Sequence, residues 1–204
     1  MRLSIRNVVL LATVFTIATA AAHAQMYKKI SFASPEVAAT FDIERAKISS
    51  TNCGCFWLKG GTGEASVQLF HGLGAVASFT GEAANIAPGV SLTQYSYMAG
   101  PRYTYSTARY TDRYTRKHGP QVFAEALIGG THATNSEFPS AGGVNSSANS
   151  FAVQVGGGAE FAVAHGFGVR PIQVDWIHTA LPNNGSNTQN DLRLAFGVTY
   201  RFGK

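Results

Sequence analysis

From Asp191 to Phe202, apolar and non-apolar positions alternate without a break. Leu192, Leu194, Phe196, Val198, Tyr200 and Phe202 share one face, and Asp191, Arg193, Ala195, Gly197, Thr199 and Arg201 share the other. A repeat of two is that of a β-strand. Faces so unlike in chemistry imply two different surroundings. The uncharged face, aromatic at its end, suits hydrocarbon, and the charged face suits a polar interior.

The same repeat predicts seven more strands, over residues 36–43, 62–70, 75–82, 92–105, 121–129, 151–163 and about 168–178. Outward faces read Val37, Ala39, Phe41 and Ile43 in the first, and Val122, Ala124, Ala126 and Ile128 in the fifth. Tyr95, Tyr97, Tyr103 and Tyr105 line one face of the fourth, the last two fitting an interfacial girdle. Segments 71–74 (His-Gly-Leu-Gly) and 164–167 (Ala-His-Gly-Phe) read as tight turns. Segments 45–61, 83–91, 130–149 and 179–190 read as loops, most of them long and polar. Short turns at one end and long loops at the other place both termini in the periplasm. Residues 106–119 are too many for a minimal turn, which extends the flanking strands toward the periplasm. The prediction is an all-β, eight-stranded, antiparallel, up-and-down transmembrane β-barrel.

The seventh strand contains a conflict. Arg170 and Asp175 are an odd number of residues apart, so a regular strand would turn one of them into lipid. That costs about 2–4 kcal/mol at mid-membrane. Pro171 lies between them and cannot donate to the ladder, which predicts a bulge that turns both charges inward.

The N-terminus changes the setting. Arg2 and Arg6, the apolar run 8–17 and Ala22-His23-Ala24 form an export signal with cleavage before Gln25. The run is too short to span a membrane as a helix. Gln25 and not a cysteine directly follows the cleavage point, so no lipid anchor is expected. The expected organisation is a signal peptide at 1–24, a periplasmic lead-in at 25–35 and a barrel domain at 36–204, in a bacterial outer membrane. Sixteen Lys and Arg against eleven Asp and Glu give +5, and loss of Arg2 and Arg6 leaves +3. That excess is too weak to mark a nucleic-acid binder, and export removes the partner. A mean hydropathy near zero fits a soluble protein and a barrel with a polar lumen equally, so patterning decides.

Candidate chemistry lies mainly inside. Strand parity sends Asp42, Glu44, Glu64, Glu82, Glu125, Glu160 and Asp175 to the lumen with Arg102, Arg170, Arg193 and Arg201. Eight strands leave an interior about filled by side chains, and buried charges demand partners. A salt-bridged plug is expected, with Arg102 and Glu125 as its leading pair, in preference to a gated ion path. Cys53 and Cys55, spaced C-G-C in a loop, leave three states open: a strained intraloop disulfide, free thiols, or pairing with another molecule. The pair has no nearby His and is too little for a metal site. His132 and Ser136, with Glu137 following, are the one constellation that suggests an enzyme, but nothing rigid orients a base there. His71 and His165 sit in turns and His178 ends a strand. Arg109, Arg113, Arg116, Lys117 and His118, interleaved with Tyr110 and Tyr114, read as a solvated connector before a contact to headgroups or cell-wall polymer.

Gly100-Pro101-Arg102-Tyr103, the stretch 170–175 and the terminal run 194–202 resemble the small outer-membrane β-barrel family typified by the OmpA transmembrane domain. The resemblance covers roughly residues 36–202. It implies insertion by the barrel-assembly machinery, which reads the aromatic end at Tyr200 and Phe202. Gly203 and Lys204 follow the Phe that usually ends such chains, and the wall-binding module of full-length OmpA is absent. The expected role is structural or surface-interaction, through loops 45–61, 130–149 and 179–190. The expected partners are outer-membrane lipid, the insertion machinery and an extracellular ligand of unknown identity, with a monomeric chain, no nucleic acid, no cofactor and no catalysis. The alternatives are a narrow porin-like solute channel, a lipid A-modifying enzyme, and a soluble ligand-holding barrel that the apolar outer faces disfavour.

Overall fold

The computed structural model describes residues 33–48, 54–87, 90–106, 120–140, 143–164, 166–183 and 187–202. They form β1 (Ala33–Ile48), β2 (Gly54–Phe70), β3 (Leu73–Ala87), β4 (Val90–Ser106), β5 (Gln121–Ser140), β6 (Gly143–Ala164), β7 (Phe167–Thr179) and β8 (Gln189–Arg201). Each strand pairs antiparallel with the next, and β1 pairs with β8 from Glu36↔Arg201 to Arg45↔Leu192. The ladder therefore closes and leaves no sheet edge, which a strand in hydrocarbon requires.

Burial alternates with parity. On β8, Asp191, Arg193, Ala195 and Thr199 are buried, while Leu192, Leu194, Phe196 and Val198 are exposed. The same inversion holds for Phe41, Phe79, Tyr97, Ile128, Val155 and Val174, large apolar side chains turned to the outside. A continuous apolar exterior of this kind marks a lipid-facing surface. Aromatic side chains edge it at both ends. Phe70, Tyr103, Tyr105, Phe161, Phe167 and Phe202 lie at the end holding the termini, and Trp57, Tyr95, Phe151 and Trp176 lie toward the distal end. Tyr200 packs at 4.8 Å against both Phe167 and Phe202.

At the terminal end the β2–β3 reversal is tight. His71 (φ 47°) and Gly72 (φ 87°) make the β2–β3 reversal, and Gly72 accepts a bond from the Thr104 amide at 2.7 Å. The turn is shorter than the four residues expected, because β3 already begins at Leu73. The β7 bulge is present. Register shifts between Arg170 and Gln173, Pro171 and Ile172 both face outward, and Arg170 and Asp175 are both fully buried.

The distal end differs from expectation. Residues 45–61, 83–91 and 130–149 are largely strand: β1 runs to Ile48, β2 begins at Gly54, β3 and β4 extend to Ala87 and from Val90, and β5 and β6 reach Ser140 and Gly143. Cys55 accordingly lies in β2 opposite Lys47, not in a loop. The reason is solvent. Beyond the lipid the outward positions face water, so the two-residue hydrophobic repeat fades, while the backbone ladder continues as long as a partner strand supplies hydrogen bonds. Only 179–190 holds a substantial non-strand connection among the described distal residues.

Inside these distal extensions Ala46, Leu58, Leu92, Ala133, Phe138 and Leu181 form a buried apolar cluster, with Phe56, Ala84, Ile86 and Ala148 packed on it. The expected signal, most of the expected lead-in, Cys53, the basic segment 107–119 and His165 lie outside the described residues.

Candidate functional site

The candidate site is the lumen. Asp42, Glu44, Glu64, Glu82, Arg102, Glu125, Glu160, Arg170, Asp175 and Arg193 are all buried in it, and Arg201 is partly buried at its terminal mouth. They fall into layers along the barrel axis.

The terminal layer is a chain of ion pairs. Arg201 meets Glu36 at the mouth and lies 4.0 Å from Glu160. Glu160 receives Arg170 at 2.7 Å, Arg170 reaches Glu64 at 2.7 Å, and Glu64 also takes Arg102 at 2.6 Å. Arg102 ends on Glu125, its register partner on β5, with Nε donating at 2.7 Å. Carboxylates and guanidinium groups thus alternate, so each buried charge has an opposite neighbour. Phe123 sits under both guanidinium groups, its ring centroid 4.4 Å from Arg102 Cζ and 4.7 Å from Arg170 Cζ. Its quadrupole attracts both cations and its ring excludes water from their faces.

The middle layer centres on Arg193. This residue donates from Nη2 to Asp175 at 2.9 Å and to Gln154 at 2.8 Å, and from Nη1 to Thr80 at 3.1 Å. Gln173 bridges the layers: it accepts from Arg170 at 2.6 Å and donates to Asp175 at 3.0 Å. Asp42 accepts from Thr40 at 2.7 Å and from Thr62. Gly156 makes room for this layer, since a Cβ there would lie 1.9 Å from Asp175 Oδ1. Val76, Met98, Leu127, Ala152 and Ile177 form an apolar stretch of the inner wall.

Farther out, Glu44 and Glu82 are buried beside each other, and among the described residues no N–H or hydroxyl donor is placed on Glu44 Oε1, Glu44 Oε2 or Glu82 Oε1. The apolar cluster of the distal extensions lies beyond them. The lumen also holds Glu36, Gln173 and Phe123, which are not in the set predicted from the sequence, together with Asp191 and Gln154, which the alternation places on the inward faces of β8 and β6 without a role in the charge network. Parity with Asp42 places Glu36 there as well, whereas the bridging of Gln154 and Gln173 is a cross-barrel property.

The remaining candidates lie outside the lumen. His132 Nδ1 pairs with Asn149 Oδ1 at 2.7 Å, and Ser136 lies in the irregularity between Thr134 and Phe138. No hydrogen bond joins the two. His178 pairs with Asn190 at 3.0 Å and stacks on Trp176. Cys55 Sγ accepts from Arg45 Nη2 at 3.7 Å. Among the described residues no group of three or more His, Cys, Asp and Glu is placed to hold a metal ion.

No protein-family model matches the sequence, and no curated protein matches it. Solved structures do match in fold. Neisserial surface protein A superposes with a TM-score of 0.61 at 17% identity, over 82% of this chain and 97% of that one. Ail, the attachment invasion locus protein of Yersinia pestis, superposes with a TM-score of 0.54 at 17% identity, over 83% of this chain and 99% of the other. A second Ail structure, in complex with the heparin analogue sucrose octasulfate, gives 0.50 at 17% identity, again over 83% and 99%. With its closed eight-strand ring, apolar outer belt and polar lumen, the chain has the fold of the small bacterial outer-membrane β-barrels.

Proposed function

We propose that this barrel is a surface-interaction protein, held in the outer membrane by its apolar belt, stiffened by a static plugged lumen and presenting its distal hairpins to the exterior. The observation that carries the reading is the length of β5 and β6. They run for 20 and 22 residues, against 13 each for β7 and β8. A tilted strand crosses hydrocarbon in about 9–11 residues, so this pair stands well clear of the membrane as a paired hairpin. Its outer portion is rich in Thr, Asn and Ser, including Asn135, Asn145, Ser146, Ser147 and Asn149, with Glu137 as its one charged residue. Such a surface recognises a partner by hydrogen bonding more than by charge. The apolar cluster inside holds the hairpin in shape, which lowers the entropy lost on binding.

The ion-paired side chains buried in the lumen favour this reading over a solute channel. A gated path would require several buried ion pairs to open together, each costing about 3–5 kcal/mol when one partner is lost. The separation of His132 from Ser136 supports a non-catalytic role. Ail, whose name denotes attachment and invasion, offers an analogy of kind only.

The test is adhesion of cells displaying the protein to host-cell or matrix surfaces, compared with a variant whose residues 135–147 are replaced by a two-residue turn. Binding that vanishes in the variant, while the unboiled protein keeps its faster gel migration, is the expected result. Equal binding by both proteins would overturn the proposal.

A further inference from the structure

Nine of the chain's eleven carboxylates are buried in the barrel, and their counter-charges are unevenly placed. In the terminal layer Glu36, Glu64, Glu125 and Glu160 share Arg102, Arg170 and Arg201, four acids to three guanidinium groups. From the middle layer outward, Asp42, Glu44, Glu82, Asp175 and Asp191 have Arg193 as their one guanidinium among the described residues. Arg193 gives its hydrogen bonds to Asp175, Gln154 and Thr80. A buried carboxylate lacking a donor or a counter-charge is strongly destabilising. The distal half of the lumen is short of positive charge.

The shortage converges on Glu44 and Glu82. These neighbours are 1% and 3% exposed, and three of their four carboxylate oxygens have no donor among the described residues. They come from β1 and β3, with β2 between them. Gly60 on β2 is the register partner of Glu82, and a Cβ there would lie 2.7 Å from Glu82 Cγ and 1.9 Å from the Gly81 carbonyl oxygen. A side chain at that position would therefore stand where the stem of Glu82 passes. Leu58, the register partner of Glu44, belongs with Leu92 to the apolar cluster that covers the pair on its distal side. Gln94, buried on β4 opposite Glu82, brings an amide to the same level. Asp191, one inward position beyond Arg193 on β8, adds to the negative field at Glu44.

We propose that Glu44 and Glu82 together bind one divalent cation in the distal lumen, calcium in preference to magnesium. A single doubly charged ion satisfies two adjacent carboxylates at once, and an all-oxygen donor set suits these hard cations rather than zinc or copper. Two acids are fewer than an all-acid cage would hold. Calcium completes its shell with amide, hydroxyl and water oxygens in irregular geometry, whereas magnesium demands a near-ideal octahedron and gives up its water reluctantly. Beneath an apolar cover the less demanding ion is favoured. The same cover sets the moment of loading, because the ion enters as the barrel closes around it and binding then adds to the stability of the fold. The site is independent of whatever the distal hairpins bind.

The full chain is folded from urea into zwitterionic detergent micelles in sodium chloride buffer containing graded calcium, graded magnesium, or EDTA. After gel filtration, metal per chain is measured by elemental analysis, and the urea midpoint is read from the faster-migrating folded band. The expected result is one calcium ion retained per chain and a higher midpoint than in EDTA, with half-saturation at least about tenfold weaker for magnesium. In E44Q/E82Q both the retained ion and the calcium dependence of the midpoint are expected to disappear. Wild-type protein that retains no ion, or retention by E44Q/E82Q equal to wild type, would overturn the site. A midpoint that rises on acidification but ignores both ions would assign the pair to a shared proton and likewise overturn it. Equal half-saturation by the two ions would overturn the preference for calcium. If E44Q/E82Q fails to fold, E44Q alone is expected to weaken retention at least about tenfold, and an unchanged half-saturation there would overturn the proposal.

Discussion

Arg193 is the one cation of the middle layer, and its removal is the sharpest test of how the lumen is held together. Its side chain is 1% exposed and its partner Asp175 is 0% exposed. Replacement by Met keeps most of the volume and removes three donor groups. Among the described residues Asp175 would retain only its bonds from Gln173, at 3.0 and 3.1 Å, against a full negative charge. Asp42, Glu44 and Glu82 would lose their nearest counter-charge as well. Removing one partner of a buried pair costs about 3–5 kcal/mol. With urea slopes of about 1–3 kcal/mol per molar, the unfolding midpoint should fall by roughly 2 M. Unfolding in phospholipid vesicles, followed by the loss of the faster-migrating folded band, reads this directly. R201Q is the internal control. Arg201 is 41% exposed at the mouth, so its pair with Glu36 contributes about 0.2–1 kcal/mol and the midpoint should barely move. A shift for R193M no larger than that for R201Q would refute the argument that the lumen charges are buried and mutually dependent.

Other consequences can be checked independently. Substituting Phe123 by Leu removes the ring shared by Arg102 and Arg170, for a loss of about 1–3 kcal/mol measured in the same unfolding assay. G156V would drive a side chain into the Asp175 carboxylate, and the refolding yield in vesicles should collapse while G63A, at an outward position with open space, refolds normally. L58A or F138A should destabilise the distal cluster by about 2–5 kcal/mol, exposing the β5–β6 hairpin to protease while the lipid-embedded strands stay protected. Planar bilayers containing the protein should show no steady conductance. Conductance that disappears on changing Arg102 or Glu125 would instead restore the channel reading.

The sequence by itself determined the strands that touch lipid and the face each residue takes. Hydrocarbon on one side and a polar lumen on the other impose a strict repeat of two, and Leu192 to Phe202 shows it in full. The bulge at Pro171 was legible for the same reason: two charges of opposite parity in one strand cannot both stay regular and both stay out of lipid. Past the membrane that constraint lapses. The polar runs ending at Ser140 and starting at Gly143 carry no alternation, so their pairing into a long hairpin was decided only when the two strands met. The identity of the ion-pair partners was likewise a tertiary outcome. Arg170 and Glu64 are separated by 106 residues and lie on non-adjacent strands. They meet because eight tilted strands close into a ring narrow enough for side chains to reach across, which is a property of the whole barrel and of no single segment.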